Sequence, residues 1–175
     1  MVNVRKTVII QRSPQEVYDF WRDLENLPRF MQHVERVEVT GDGRSHWIAK
    51  GPAGKKIEWD AQIVDDVPGA LISWRSLPGA DVRNAGVVRF RKAGDHRTEV
   101  VVDLTYDAPG GALGAVIAKL LGDQPSQHLG DDLRRFKQVL ETGEVVRSDG
   151  VFKGEGAFKP RTAQPSRESA AEARP

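Results

Sequence analysis

The sequence predicts an α+β domain: a curved antiparallel β-sheet of six to seven strands wraps around a long C-terminal helix, with two short helices after strand 1. Three observations predict this class. A capped helical stretch follows the first strand-like run, six further strand-like runs are joined by Gly and Pro turns, and a long amphipathic pattern comes last. Because no helical pattern interrupts the strand series, an antiparallel meander is favoured over β-α-β units.

The first strand is predicted over residues 2–10, where apolar residues recur at alternate positions with one exception. A helix is expected next, because Ser13 can cap it, Pro14 suits its first position and Glu16 can reach back to the Ser13 amide. Pro28 is expected to prevent this helix from continuing, which leaves two short helices with a bend between them.

The two short helices share one apolar face, whose members recur at helical spacing. It consists of Val17, Phe20, Trp21, Leu24, Leu27 and Phe30. Core packing is the simplest interpretation of any single member. Together these side chains are expected to form a compact lid, which covers the open side of the sheet and lines or seals one end of a cavity.

The strand series follows. Its predicted members are Glu35–Thr40, Ser45–Lys50, Lys56–Val64, Ala70–Arg75, Ala85–Arg91 and Thr98–Tyr106. Alternation is cleanest in the third run, where Ile57, Trp59 and Ala61 alternate with charged residues. This pattern is typical of a strand with one dry face and one wet face.

The last pattern is a long helix with an apolar stripe in each half. The first stripe contains Leu113, Val116, Ile117, Leu120 and Leu121, and the second contains Leu129, Leu133, Phe136 and Leu140. Pro125 is expected to kink or break the helix, and Gly143 is expected to end it. The residues expected on the wet side are Asp131, Asp132, Arg134, Arg135 and Lys137. The folded domain is predicted over residues 1–145, and residues 146–175 are predicted to form a flexible polar tail.

Composition excludes several classes of function. Lys and Arg number 26 against 25 for Asp and Glu, so the charge balance gives no reason to expect nucleic acid as a partner. There is no cysteine, which fits a cytoplasmic protein. The longest apolar stretch, residues 112–121, is shorter than the roughly 20 residues of a transmembrane helix. The histidines lack metal-ligand spacing and no nucleotide-binding motif occurs, so we expect no metal and no cofactor.

A straight helix touches a curved sheet along a line and diverges from it elsewhere, so the architecture predicts a space between them. The residues expected to line this cavity are Phe20, Trp21, Phe30, Trp47, Trp59, Trp74, Arg75, Asn84, Tyr106, Val116 and Leu120. Alternation along the last strand places Tyr106 inward and Asp103 toward solvent. Surface or turn roles are the alternative for Arg75 and Asn84, and core packing is the alternative for the tryptophans.

No catalytic constellation is recognisable. His33 follows the lid, and a solvent-exposed loop histidine is its favoured interpretation; an acid or base at the cavity mouth is the alternative. The paired carboxylates Asp65-Asp66 and Asp131-Asp132 are adjacent in sequence, which does not suit a catalytic dyad. The catalytic residues, if the protein is an enzyme, are unknown at this level.

Four stretches carry a family resemblance: SPQEVYDFWRDLENLPRFMQHV, ISWRSLPGADVRNAGVVRF, TEVVVDLTYDAPGG and DDLRRFKQVLETGEV. Over residues 1–145 they resemble the polyketide cyclase/dehydrase branch of the START-like helix-grip (SRPBCC) superfamily. The resemblance implies a helix-grip domain whose internal cavity takes an apolar or amphipathic small molecule, such as a lipid, polyketide or polycyclic compound.

Three functions are compatible with these observations. The first is binding of a hydrophobic small molecule or lipid for carriage, sensing or protection, and this is the function we expect. The alternative is a polyketide cyclase or dehydratase that uses the same cavity. The third is peripheral contact with a membrane surface or a protein through the apolar first half of the last helix and the tail. The sequence indicates no oligomeric state.

Overall fold

The computed structural model describes residues 1–107, 110, 111, 114, 115 and 124–143. Its main elements are β1 (Val2–Ile10), α1 (Pro14–Arg22), a 3₁₀ helix (Leu24–Arg29), β2 (Val34–Gly41), β3 (Arg44–Lys50), β4 (Lys56–Val67), β5 (Leu71–Ser76), β6 (Asn84–Gly94), β7 (Arg97–Tyr106) and α2 (Pro125–Thr142). A short 3₁₀ turn, Pro52–Gly54, joins β3 to β4. All seven predicted strands are confirmed, with ends shifted by a few residues. The predicted first half of the last helix and the predicted tail lie outside the described residues.

The strands form one antiparallel sheet in the order β1-β7-β6-β5-β4-β3-β2. From β2 to β7, each strand pairs with the strand that follows it in the chain. Strand β1 instead pairs with β7, so that Val2 lies opposite Tyr106 and Ile10 lies opposite Thr98. The first two strands therefore occupy opposite edges of the sheet. The segment between them has to cross from one edge to the other, and this crossing places α1 and the 3₁₀ helix over one face.

The start of α1 is as predicted, but its end is not. The Glu16 amide donates to Ser13 Oγ (3.3 Å), and the Ser13 amide donates to Glu16 Oε2 (2.9 Å), which completes a capping box. The bend lies at Asp23, whose ψ of 88° leaves the helical region. Pro28 is inside the following 3₁₀ helix instead of at the break. A 3₁₀ helix accepts it there because the φ that proline requires is also a 3₁₀ value.

An aromatic cluster joins α2 to the two short helices. Phe136 has no exposed surface. Its ring centroid lies 4.6 Å from that of Phe30, 5.1 Å from that of Trp21 and 5.9 Å from that of Phe20. Separations of this size suit tilted and edge-on aromatic pairs. The cluster fixes α2 against the lid helices.

Helix α2 begins at Pro125 and ends at Gly143, which has the left-handed φ of 76° predicted for a C-terminal glycine. The placement of Asp132 and Arg135 on its wet side is wrong, because their side chains are only 17% and 24% exposed. Asp132 Oδ1 accepts the Gln32 amide (3.2 Å) and also pairs with Arg135. Arg135 Nε donates to the Phe30 carbonyl (2.9 Å). These hydrogen bonds let both charged groups be buried.

Candidate functional site

A cavity of about 180 Å³ lies between α2 and the sheet, as the architecture predicted. Its described walls come from α1, from all seven strands, from the loops that precede β2 and β6, and from the first turns of α2, and they are mainly apolar. An apolar cavity of roughly 150 Å³ is large enough for benzene. The space therefore accommodates a molecule with at least one ring. A second space of about 30 Å³ shares four lining residues with the cavity, namely Trp21, Met31, Trp47 and Trp74.

All four tryptophans of the chain line this cavity. Trp47 on β3 lies directly opposite Trp59 on β4 in the strand register. Their rings are stacked, with centroids 5.7 Å apart and planes 17° apart. Trp47 Nε1 donates to Ser45 Oγ (2.8 Å), which satisfies its polar edge. The register of two strands thus builds a flat aromatic wall of the kind that a ring-bearing ligand can contact.

Trp74 on β5 lies opposite Gly86 on β6. A Cβ atom at Gly86 would lie 2.4 Å from Trp74 Cζ2 and 2.7 Å from Cη2. No side chain fits at such distances, so glycine is needed for the indole to lie against the sheet.

Two polar residues line the cavity from the sheet side. Asn84 and Tyr106 are paired across β6 and β7. Asn84 Nδ2 donates to the Val82 carbonyl (3.1 Å). Tyr106 is only 5% exposed, and its hydroxyl makes no hydrogen bond within the described part of the chain. Burial raises the pKa of Tyr106, so the hydroxyl stays neutral and can bond to a molecule in the cavity.

Three more polar residues line it from the helix side. His33 Nε2 and His128 Nδ1 are 3.4 Å apart, and Asp132 is four positions after His128 on α2. Burial lowers the pKa of His33 and favours its neutral form. Burial also raises the pKa of Asp132, although its bonds to Arg135 and to the Gln32 amide act in the opposite direction.

The structure brings together Trp21, Trp47, Trp59, Trp74, Asn84 and Tyr106. Phe20, Phe30 and Arg75 were also expected in the lining and lie elsewhere. Phe20 and Phe30 pack on Phe136 in the aromatic cluster. Arg75 is exposed, because alternation along β5 turns it away from the face that Trp74 occupies. Val116 and Leu120 lie outside the described residues.

Sequence reasoning missed most of the polar residues on the helix side. A solvent-exposed loop was the favoured interpretation of His33 and the cavity mouth was the alternative, and the structure places it half-buried in the lining. His128 and Asp132 were assigned no role there. Their spacing of four residues, beside the stripe of Leu129 and Leu133, does place them on one face of a helix. That signal was present in the sequence, but it does not show that the face borders a space.

Among the described residues, no group of three or more His, Asp or Glu side chains is arranged to hold a metal ion. No helix in the same part of the chain has the length and hydrophobicity needed to cross a membrane.

A seven-stranded antiparallel sheet that holds a C-terminal helix over an internal cavity defines a START-like helix-grip domain. The family model described as "Polyketide cyclase / dehydrase and lipid transport" matches residues 10–134. The chain belongs to this family.

Solved structures agree on the fold. A protein from Deinococcus radiodurans is 42% identical, with a TM-score of 0.66 over 82% of this chain and 100% of that one. A START superfamily protein from Mycobacterium smegmatis is 17% identical, with a TM-score of 0.62 over 78% and 98% of the two chains. The ZhuI aromatase/cyclase from Streptomyces sp. R1128 is 17% identical, with a TM-score of 0.61 over 83% and 99%. At 17% identity the last two show the fold alone.

Proposed function

We propose that this protein binds a hydrophobic small molecule, such as a lipid, polyketide or polycyclic compound, in its internal cavity, for carriage, sensing or protection. The observation that carries the proposal is the cavity itself. A ligand that fills this space of about 180 Å³ removes the apolar side chains around it from water, which is favourable.

The lining suggests how a ligand is held. The stacked Trp47 and Trp59 provide a flat surface for a ring, and Trp21 and Trp74 line both the cavity and the smaller space. Most of a ligand's surface would contact carbon atoms. The few polar groups, including the Tyr106 hydroxyl, would set its orientation. This division between apolar contact area and a few polar groups is typical of small-molecule sites.

The test has two parts. Native mass spectrometry of the purified protein is expected to show a co-purifying hydrophobic compound. Indole N–H signals in a two-dimensional NMR spectrum are expected to shift when a single-ring hydrocarbon is added, since every tryptophan borders the cavity.

A matched pair of variants localises the binding. Ala49→Leu places extra volume in the cavity, because Ala49 is buried in its wall, whereas Ala85→Leu adds the same volume at an exposed position on β6. Binding of the hydrocarbon is expected to be lost in the first variant and retained in the second. Binding that is unchanged in Ala49→Leu would contradict the site, and no binding to the wild-type protein would contradict the function.

The alternative is a cyclase or dehydratase that uses the same cavity. The observation in its favour is that the cavity lining contains side chains capable of proton transfer or hydrogen bonding, namely His33, His128, Asp132 and Tyr106. The same space could fold a poly-keto chain. On this alternative, Tyr106→Phe abolishes turnover of a poly-keto substrate and leaves its affinity intact. Unchanged turnover would remove Tyr106 from the mechanism.

A further inference from the structure

The two cavity histidines come from different elements and contact each other. His33 precedes β2, and His128 lies in the first turn of α2. Their rings meet edge to face, with centroids 5.2 Å apart, and His33 Nε2 is 3.4 Å from His128 Nδ1. Within the described part of the chain, His33 Nδ1 and His128 Nε2 have no hydrogen-bond partner.

The contact limits what the pair can offer to a ligand. A neutral imidazole has one N–H donor and one lone pair. The contact between the rings uses one donor and one acceptor, so the two outer nitrogens together retain one N–H and one lone pair. Either tautomer of the pair satisfies this count. A ligand hydroxyl both donates and accepts, so it can bond to whichever nitrogen it meets.

The surrounding charges favour a neutral ligand. Asp132 supplies a carboxylate to the same wall, and it is paired with Arg135. Arg135 also donates to the Phe30 carbonyl and is not among the residues that line the cavity, so it is not placed to pair with a ligand. The described lining contains no Arg and no Lys. An anionic ligand would therefore enter an apolar space without a counter-charge and beside a carboxylate, which is unfavourable.

We propose that the His33–His128 pair is the specificity determinant of the cavity, and that it selects neutral ring compounds that carry a hydroxyl group. This inference rests on the proposed function and names its ligand class. The hydroxyl bonds to an outer imidazole nitrogen while the ring lies against the tryptophans. The uncharged apolar compound of the same shape leaves that nitrogen unpaired, and the carboxylate of similar shape brings an uncompensated charge.

The experiment compares three probes of similar size on the wild-type protein at about pH 7.5, where a phenol is neutral and a carboxylic acid is ionised. These probes are 4-ethylphenol, 4-ethyltoluene and 4-ethylbenzoate. Their affinities are measured from the shifts of the indole N–H signals. We expect the phenol to bind about fivefold more tightly than the toluene, which is the effect of about one net hydrogen bond, and the benzoate to bind most weakly.

Variants then locate the preference. His128→Phe keeps an aromatic ring at this position and removes the nitrogens, so the phenol and the toluene are expected to bind equally well. His128→Gln keeps a donor and an acceptor and is expected to retain part of the preference. His46→Phe is the matched control, since His46 lies outside the cavity lining and pairs with Glu58 and Asp60. It is expected to keep the full preference.

Each result has a defined meaning. Equal binding of all three probes to the wild-type protein would overturn this inference and leave the proposed function standing. Tightest binding of the benzoate would overturn the choice of a neutral ligand. A preference that survives in His128→Phe would overturn the role of the pair. No binding of any probe would overturn both proposals. The comparison on the wild-type protein decides the matter even if a variant fails to fold.

Discussion

The substitution Gly86→Ala tests how the aromatic wall is built. The new Cβ would lie 2.4 Å from Trp74 Cζ2 and 2.9 Å from the Asp103 carbonyl oxygen on β7. Carbon atoms in contact are normally separated by about 3.5 Å, so the indole has to move by about 1 Å. The neighbouring strand limits movement on the other side, so the ring is displaced toward the cavity. Overpacking of this kind costs about 1 to 3 kcal/mol.

Urea unfolding measures this cost, and the Trp74 indole N–H signal reports the movement of the ring. The matched control is Gly41→Ala, because Gly41 is also a strand residue and a Cβ there would have no heavy atom within 4 Å. We expect the control to change stability by less than about 0.5 kcal/mol. The reasoning is refuted if the two variants are equally stable, or if the Trp74 signal does not move in Gly86→Ala.

Four further predictions concern the core, the cavity and two titrating groups. Phe136→Ala should cost about 3 to 5 kcal/mol in urea unfolding, since its fully buried ring contacts three other aromatic rings, and a loss under about 1 kcal/mol would contradict that role. Tyr106→Phe should leave the urea midpoint unchanged, because the hydroxyl has no partner in the described chain to lose; a clear drop would contradict this. The hydrogen bond from the Ser13 amide lowers the pKa of Glu16 below its unfolded value of 4.5. The carboxylate therefore stabilises the fold fully at a pH above 4.5, and this stabilisation is lost as the pH falls through the folded pKa. Glu16→Gln should therefore be less stable than the wild type near neutral pH and approach it in acid, and a constant difference would argue against the charge. Burial lowers the pKa of His33 below its unfolded value of 6.5. As the pH falls, the unfolded chain therefore binds a proton at this histidine before the folded chain does. The wild type loses stability as the pH falls from 6.5 through the folded pKa. His33→Gln should lose less over this range, and equal slopes in urea unfolding would contradict the burial of an uncharged imidazole.

Local signals in the sequence were sufficient to predict where most strands lie and where α1 begins. The strand at residues 2–10 and the capped start of α1 depend on near neighbours, and both appear where they were expected. Alternation also placed Asp103 on the outer face, where it pairs with Arg5 and Arg89. The end of α1 could not be predicted in this way. A proline excludes an α-helical interior but is compatible with a 3₁₀ turn, so Pro28 alone does not fix the position of the bend.

Most of the site residues that could be predicted from the sequence lie on the sheet, and Trp21 on α1 is the exception. Alternation along a strand predicts which face of the sheet a side chain occupies, and it predicted the inward positions of Trp59 and Tyr106. The polar residues on the other wall depend on how α2 meets the loop before β2. Asp132 is buried because Arg135 and the Gln32 amide satisfy it, and neither contact is visible in the periodicity of the helix.

Helix α2 explains why a packed core and a cavity coexist in one small domain. In its second half, Leu133, Phe136 and Val139 are almost fully buried, and Lys137 Nζ donates to the Ile9 carbonyl on β1 (2.7 Å). In its first turns, His128 and Leu129 border the cavity instead. One end of the helix is thus anchored to the sheet edge and the aromatic cluster, and the other end borders the cavity. Substitutions in the second half should therefore act mainly on stability, whereas substitution of His128 in the first turn should act mainly on what the cavity accepts, because its side chain lines the cavity.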